Sequence, residues 1–161
     1  MRQKAFFLCI AAGIFLFLSY YSLLLSEAPQ KNLQKTWYQP KPGTTWHWQV
    51  TGVINTTHDA ELYDIDLETT SQAIIDKLHI QEKKVICYVS AGTVEVFRKD
   101  AEQFPQQVIG GSMKDWPDER WLDVRSYKQF ARIMEQRFDL AMQKKCDGIE
   151  ADNVDAYQQD T

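Results

Sequence analysis

Four acids, Asp147, Glu150, Asp152 and Asp155, fall within nine residues of the stretch KKCDGIEADNVDAY, among side chains that are otherwise mostly small or apolar. In a β-strand, residues two apart point to the same side, so Glu150 and Asp152 face together. The run YDIDLE repeats the pattern with Asp64 and Asp66. Two pairs of acids aimed into one space raise each other's pKa, which suits general acid and nucleophile chemistry. For any single one of these acids, strand-end solvation or helix N-capping is the plainer explanation. D-x-D spacing alone does not make a calcium or magnesium cage, and no Cys or His sits at ligand spacing from another. No metal and no other cofactor is expected.

Aromatic residues carry the other half of the chemistry. Trp46 and Trp48 share one side of the run WHWQVTG, with Gln49 on the other. Tyr88, Trp116, Trp121 and Tyr157 fall near or after later strand ends. Flat rings beside acids and amides are what sugar rings stack on and bond to. Tryptophan is equally ordinary core, so Trp46 and Trp48 remain open between core and platform.

The elements that must hold these residues alternate. WHWQVTG and KKVICYVSAG are rich in aromatic and β-branched residues, and the second is a nearly continuous apolar run of the kind found in strands buried on both faces. TTSQAIIDKLHI places Ile74, Ile75 and Leu78 on one helical face, and SYKQFARIMEQRFDLAMQKK repeats apolar residues at Tyr127, Phe130, Ile133, Met134, Phe138 and Ala141. Ser126 and Gln129 have the spacing of a capping box for that second helix. DAEQFPQQVIGG reads as a helix turn running into a loop. Strand and helix in alternation predict an α/β fold of βαβ units around a parallel sheet, doubly wound or closed as a barrel. The absence of a Gly-rich phosphate loop gives nucleotide binding no support. The polar residues gather at the C-terminal ends of successive strands, where (β/α) barrels build their active sites.

Composition narrows the class further. The 161 residues are 44% hydrophobic and 25% charged, with a net charge of −4, which excludes a disordered or fibrous chain. The chain has no basic run, so nucleic acid is not an expected partner. Residues 1–28 are different material. Arg2 and Lys4 precede 21 uncharged residues at 5–25, long enough for a helix of roughly 31 Å, about one hydrocarbon core. The segment reads as an uncleaved signal-anchor or a cleaved signal peptide, and SEA before Pro29 makes a poor cleavage site. Either places the rest of the chain outside the cytoplasm, membrane-anchored or secreted. Residues 29–44, with Pro29, Pro40, Pro42 and Gly43, are linker, and the folded domain is expected over 45–161. Cys87 in mid-strand and Cys146 in a loop are expected as two separate thiols, a bridge between them being the alternative. The match NTT at Asn55 is too short to carry an assignment.

At this level of detail the chain resembles glycoside hydrolase family 114, the endo-α-1,4-polygalactosaminidase-like barrels. TTWHWQVTG, YDIDLE, VICYVSAGTVEVFRKDA, WPDERWLDVRS and KKCDGIEADNVDAY stand in the family's order and spacing from about Thr44 to the last residue. The resemblance implies a (β/α)8 TIM barrel, secreted or surface-attached, acting on α-1,4-linked galactosamine-containing polysaccharide. It implies that Asp152 ends the fourth main strand as one of two catalytic carboxylates, the nucleophile. It also implies that Asp64, Asp66, Tyr88, Glu95, Arg98, Asp123, Arg125, Glu150 and Asp155 line or support the cleft. The family's second catalytic carboxylate lies on a later strand, after the point where this sequence stops.

A closed barrel takes about 250 residues, so only about its first half is expected here, as a fragment of a longer protein, with two copies completing each other, or as the product of a decayed gene. The 161-residue chain alone is then expected to be inactive. A non-catalytic, membrane-anchored carbohydrate-binding protein is the alternative from another class, since it needs the aromatics and acids but no second carboxylate. A purely structural tethered partner would give no reason for acids to collect at strand ends.

Overall fold

A computed structural model describes residues 38–159. The apolar segment at 5–25 lies outside them. Among the described residues, no helix is long and apolar enough to cross a membrane.

Strands β1 (Trp46–Gln49), β2 (Leu62–Asp66), β3 (Lys84–Ser90) and β7 (Gly148–Asp152) form a parallel four-stranded sheet in that order. Helix α1 (Gln72–Ile80) connects β2 to β3, and helix α2 (Ala131–Lys144) precedes β7. Period-two alternation sorts the side chains. Tyr63, Ile65 and Leu67 after β2, with Val85, Cys87 and Val89 of β3, turn to the helix side and pack with Ile75, Leu78 and Ala141. Tyr63, Ile65, Ile75 and Leu78 are fully buried there, each worth about 1.5–3 kcal/mol of apolar burial. The even-numbered residues take the other face, which carries the acids.

Between β3 and α2 the chain inserts strands β4 (Thr93–Glu95), β5 (Ile109–Ser112) and β6 (Glu119–Leu122), paired antiparallel in the order β4-β6-β5. This ribbon has its own core of Val94, Phe104, Val108, Leu122, Phe130, Ile133 and Met134. The stretch expected to be a helix turn and loop is two 3-10 turns, Ala101–Gln103 and Gln106–Val108, that lead directly into β5.

Two expectations are corrected. No Ser126–Gln129 capping box starts α2. Residues Val124–Gln129 form a kinked 3-10 segment, Ser126 Oγ donates to Asp123 Oδ2 (3.4 Å), Gln129 accepts from Gln107 (2.8 Å), and α2 proper begins at Ala131. Nor are the thiols separate: Cys87 and Cys146 form a disulfide with Cα atoms 6.0 Å apart. Cys87 sits on the helix side of β3, and the Cys146 N–H caps the Ala141 carbonyl (3.0 Å), which brings the turn after α2 over the same core. At that helix end Lys144 Nζ donates to the carbonyls of Leu67 (2.6 Å) and Thr70 (2.7 Å), tying α2 to the loop after β2, and burial holds its pKa down.

Candidate functional site

On the acid face, Trp48 stands beside Asp64, and Asp64 beside Ile86. One step along the strands Asp66 neighbours Tyr88, and Tyr88 neighbours Glu150; at the C-terminal end Ser90 neighbours Asp152. Trp46 and Trp48 share this face through their pairing with Leu62 and Asp64, and both rings are exposed on the edge strand β1. Gly148 continues the row of Asp64 and Ile86; a Cβ there would meet Ile86 Cδ1 at 2.8 Å.

Asp152 is half-buried at the end of β7. Its Oδ2 accepts from the Tyr88 hydroxyl at 2.8 Å and its Oδ1 from the Asn153 N–H at 2.8 Å. Donors aimed at both oxygens fix the orientation of the carboxylate. Burial, then the bond to Asp152, pushes the Tyr88 phenol far above its ordinary range, so it stays a donor.

Asp64 and Glu150 form a second acidic centre deeper on the face. Asp64 is 6% exposed, and neither Asp64 Oδ1 nor Glu150 Oε2 meets a hydrogen-bond donor. Burial, reinforced by the Glu150 carboxyl group, pushes the Asp64 pKa up to about 8, so this pair holds a proton at neutral pH.

Asp66, Glu95 and Arg98 are committed to one another. Arg98 Nη2 lies 2.6 Å from Asp66 Oδ2, and Arg98 grips Glu95 through Nε (2.7 Å) and Nη2 (3.0 Å). Burial alone would raise Asp66, but Arg98 and the N–H and hydroxyl of Thr69 hold it low. A buried set satisfied in this way shapes the wall of the site rather than supplying a reactive group.

The remaining candidates separate. Gln49 faces away from the tryptophans and ties down the loop after β1: it donates to Thr51 O (3.1 Å) and Val53 O (2.9 Å) and accepts from Asn55 N (2.9 Å). Asp123 and Arg125 pair at 2.6 Å on the 3-10 segment, and that bond keeps Asp123 low. Asp155 stands at the start of the turn Ala156–Gln158 beyond β7, and Tyr157 in that turn is exposed. Asp147 lies at the opposite end of β7 from the site, bound by Lys84 Nζ (2.8 Å), Val85 N (3.0 Å) and His79 Nε2 (2.9 Å). Among the described residues, no group of three or more His, Cys, Asp or Glu could hold a metal ion.

The sequence reading missed Glu119. Its carboxylate, 8% exposed, accepts from Thr93 Oγ1 at 2.7 Å and approaches Asn153 Nδ2 at 3.5 Å. Burial raises its pKa, and the charges of Glu95 and Asp152 act in the same direction. Alternation within ERWL, which pairs Glu119 with buried Trp121, was the signal available.

A cavity of about 330 Å³ is lined by Leu67, Val89, Arg137, Leu140 and Lys144 and also by Tyr88, Ser90, Glu95 and Arg98, so it reaches the wall of the site. Arg137 there is already bound to Asp100 and to the Ser90 carbonyl (2.8 Å). The acid face, where Asp152, Tyr88 and the Asp64–Glu150 pair meet, is the better candidate for chemistry.

Residues 26–161 match the model of glycoside hydrolase family GH114. Among solved structures, the crystal structure of Aspergillus fumigatus Ega3 in complex with galactosamine is 41% identical with a TM-score of 0.73, over 76% of this chain and 49% of that one. The glycoside hydrolase domain of PelA from Pseudomonas aeruginosa is 12% identical with a TM-score of 0.56, over 73% of this chain and 46% of that one, a likeness of fold alone. The chain spans about half the length of the solved structures it matches. Among curated proteins, none matches.

Proposed function

The chain belongs to glycoside hydrolase family GH114, and from that premise we propose that the complete protein hydrolyses α-1,4-linked galactosamine-containing polysaccharide outside the cytoplasm. The observation that carries the reading is Asp152: a carboxylate at the C-terminal end of a parallel strand, fixed by Tyr88 and Asn153, on the face that also presents Trp46 and Trp48. The galactosamine bound to Ega3, a structure 41% identical, supports the substrate class.

In this reading Asp152 attacks the anomeric carbon and forms a glycosyl-enzyme intermediate, with retention of configuration. Tyr88 and the Asn153 N–H keep the carboxylate aimed. The reaction also needs a second carboxyl group, about 5–5.5 Å away in a retaining enzyme, to protonate the leaving oxygen. We assign that role to the part of the family barrel that this chain's 49% coverage of the Ega3 structure does not include. Trp46 and Trp48 stack on the sugar rings, and the Asp64–Glu150 pair and Asp152 make the face attractive to a cationic amino sugar. The disulfide between Cys87 and Cys146 agrees with an oxidising compartment. Anchoring through residues 5–25 is part of the same proposal.

The test compares the complete protein with its Asp152→Asn variant on a deacetylated galactosamine polymer, following new reducing ends and polymer binding separately. The expected result is turnover in the wild type, and binding without turnover in the variant. A wild type that binds and never cuts would favour the non-catalytic carbohydrate-binding protein.

A further inference from the structure

Asp152 is followed by Asn153, whose backbone stands in the left-handed region at φ 59° and whose N–H is one of the donors on the Asp152 carboxylate. Asn is among the non-glycine residues that adopt this conformation most readily, and its neighbours fix it here. On one side Gly92 packs against it: a Cβ on Gly92 would lie 1.9 Å from the Asn153 carbonyl oxygen. The Ala91 N–H binds the Asp152 carbonyl at 2.9 Å. On the other side the Asn153 amide donates to Ser90 Oγ (3.0 Å) and Thr93 Oγ1 (3.3 Å), both 0% exposed. Thr93 in turn donates to Glu119 Oε2, and Ser90 and Thr93 share a 2.5 Å hydrogen bond. Since Thr93 spends its proton on Glu119, Ser90 must donate to Thr93, and Glu119 orients the whole chain of donors.

We propose that Glu119 is a positioning residue for Asp152: by orienting Thr93 and Asn153 it holds the left-handed turn whose N–H aims the Asp152 carboxylate. The antiparallel ribbon, which contributes Glu119 from β6, thereby sets the aim of a side chain on the parallel sheet. The inference deepens the proposed function and rests on it for the role of Asp152. Tyr88 on β3 bonds Asp152 and Glu119 on β6 acts on it through charge, while Glu95 and Arg98 act in turn on Glu119.

The test is carboxyl-carbon NMR of the intact protein labelled at aspartate, with the Asp152 signal identified by its loss in Asp152→Asn. Glu119→Gln removes the charge and keeps an acceptor for Thr93 and Asn153, whereas Glu119→Ala removes both, so the difference between their Asp152 midpoints reads position and not charge. The Glu119→Ala midpoint is expected about one pH unit above that of Glu119→Gln, because a loosened N–H no longer favours the charged carboxylate. Thr93→Val removes the bridging hydroxyl at nearly constant volume and should move the midpoint upward from wild type; it decides the matter should Glu119→Ala not fold. Unmoved midpoints in these comparisons would mean that Glu119 only fastens the ribbon, and would overturn the proposal. In turnover, Glu119→Ala is expected about tenfold below Glu119→Gln in kcat with KM unchanged. A wild type that leaves the polymer uncut contradicts the proposed function and leaves the NMR result decisive for Glu119.

Discussion

Asp64 on β2 and Glu150 on β7 interact through their carboxyl groups across the intervening strand β3, and neither Asp64 Oδ1 nor Glu150 Oε2 meets a hydrogen-bond donor. Two carboxylates in that position repel unless one keeps its proton.

The pair therefore gives the protein a stability that declines with rising pH. An acid whose folded pKa is raised binds more protons folded than unfolded, so its contribution is full below the ordinary value of 3.8 and is lost as pH rises to about 8. Asp64→Asn keeps the neutral form at every pH. Its melting temperature should exceed that of the wild type by on the order of 5 °C at pH 8, and the advantage should vanish near pH 4. Thermal melts across that range check the sign; an advantage that grows towards acid would contradict it.

Tyr88→Phe removes a donor from Asp152 Oδ2 and leaves the ring in place. Hydrogen bonds to charged groups are worth about 1.5–3 kcal/mol, so kcat/KM of the complete enzyme should fall about 10- to 100-fold. The same bond contributes to folding, so the melting temperature should fall by roughly 5 °C, and kinetics run well below the melt isolate the effect on turnover.

Gly92→Ala should be among the most damaging single-methyl changes in the chain. The added carbon meets backbone, the Asn153 carbonyl, at 1.9 Å, so no side-chain rotation relieves it. A loss of about 3 kcal/mol or more is expected, read by denaturant unfolding.

Reducing the disulfide between Cys87 and Cys146, which are 59 residues apart in sequence, should cost about 2–4 kcal/mol. Melting with and without reductant measures it, and a Cys87→Ala, Cys146→Ala double variant should melt like the reduced protein and be indifferent to reductant.

The parallel layer was legible because β2, β3 and α1 announce themselves by alternation or by runs of β-branched residues. Parity also grouped Glu150 with Asp152 and Asp64 with Asp66 correctly. The antiparallel ribbon was not legible, since β4 has three residues and β5 is IGGS, too short and too glycine-rich for a periodic signal. With the ribbon hidden, Glu119 had no visible route to Asp152. Asp147 was grouped with the site acids by proximity, although its odd number sets it on the other side from Glu150 and Asp152. The disulfide depended on where α2 ends, which spacing alone does not say.

The most direct test of the central claim is covalent trapping of the complete protein with a 5-fluoro galactosaminyl fluoride, whose activated leaving group lets the nucleophile be caught as its sugar ester. Intact mass and peptide mapping should find one sugar per chain, on the Asp152 carboxylate, and none in Asp152→Asn. A label on another carboxylate, or an unlabelled protein that still cuts the polymer, would contradict Asp152 as the nucleophile.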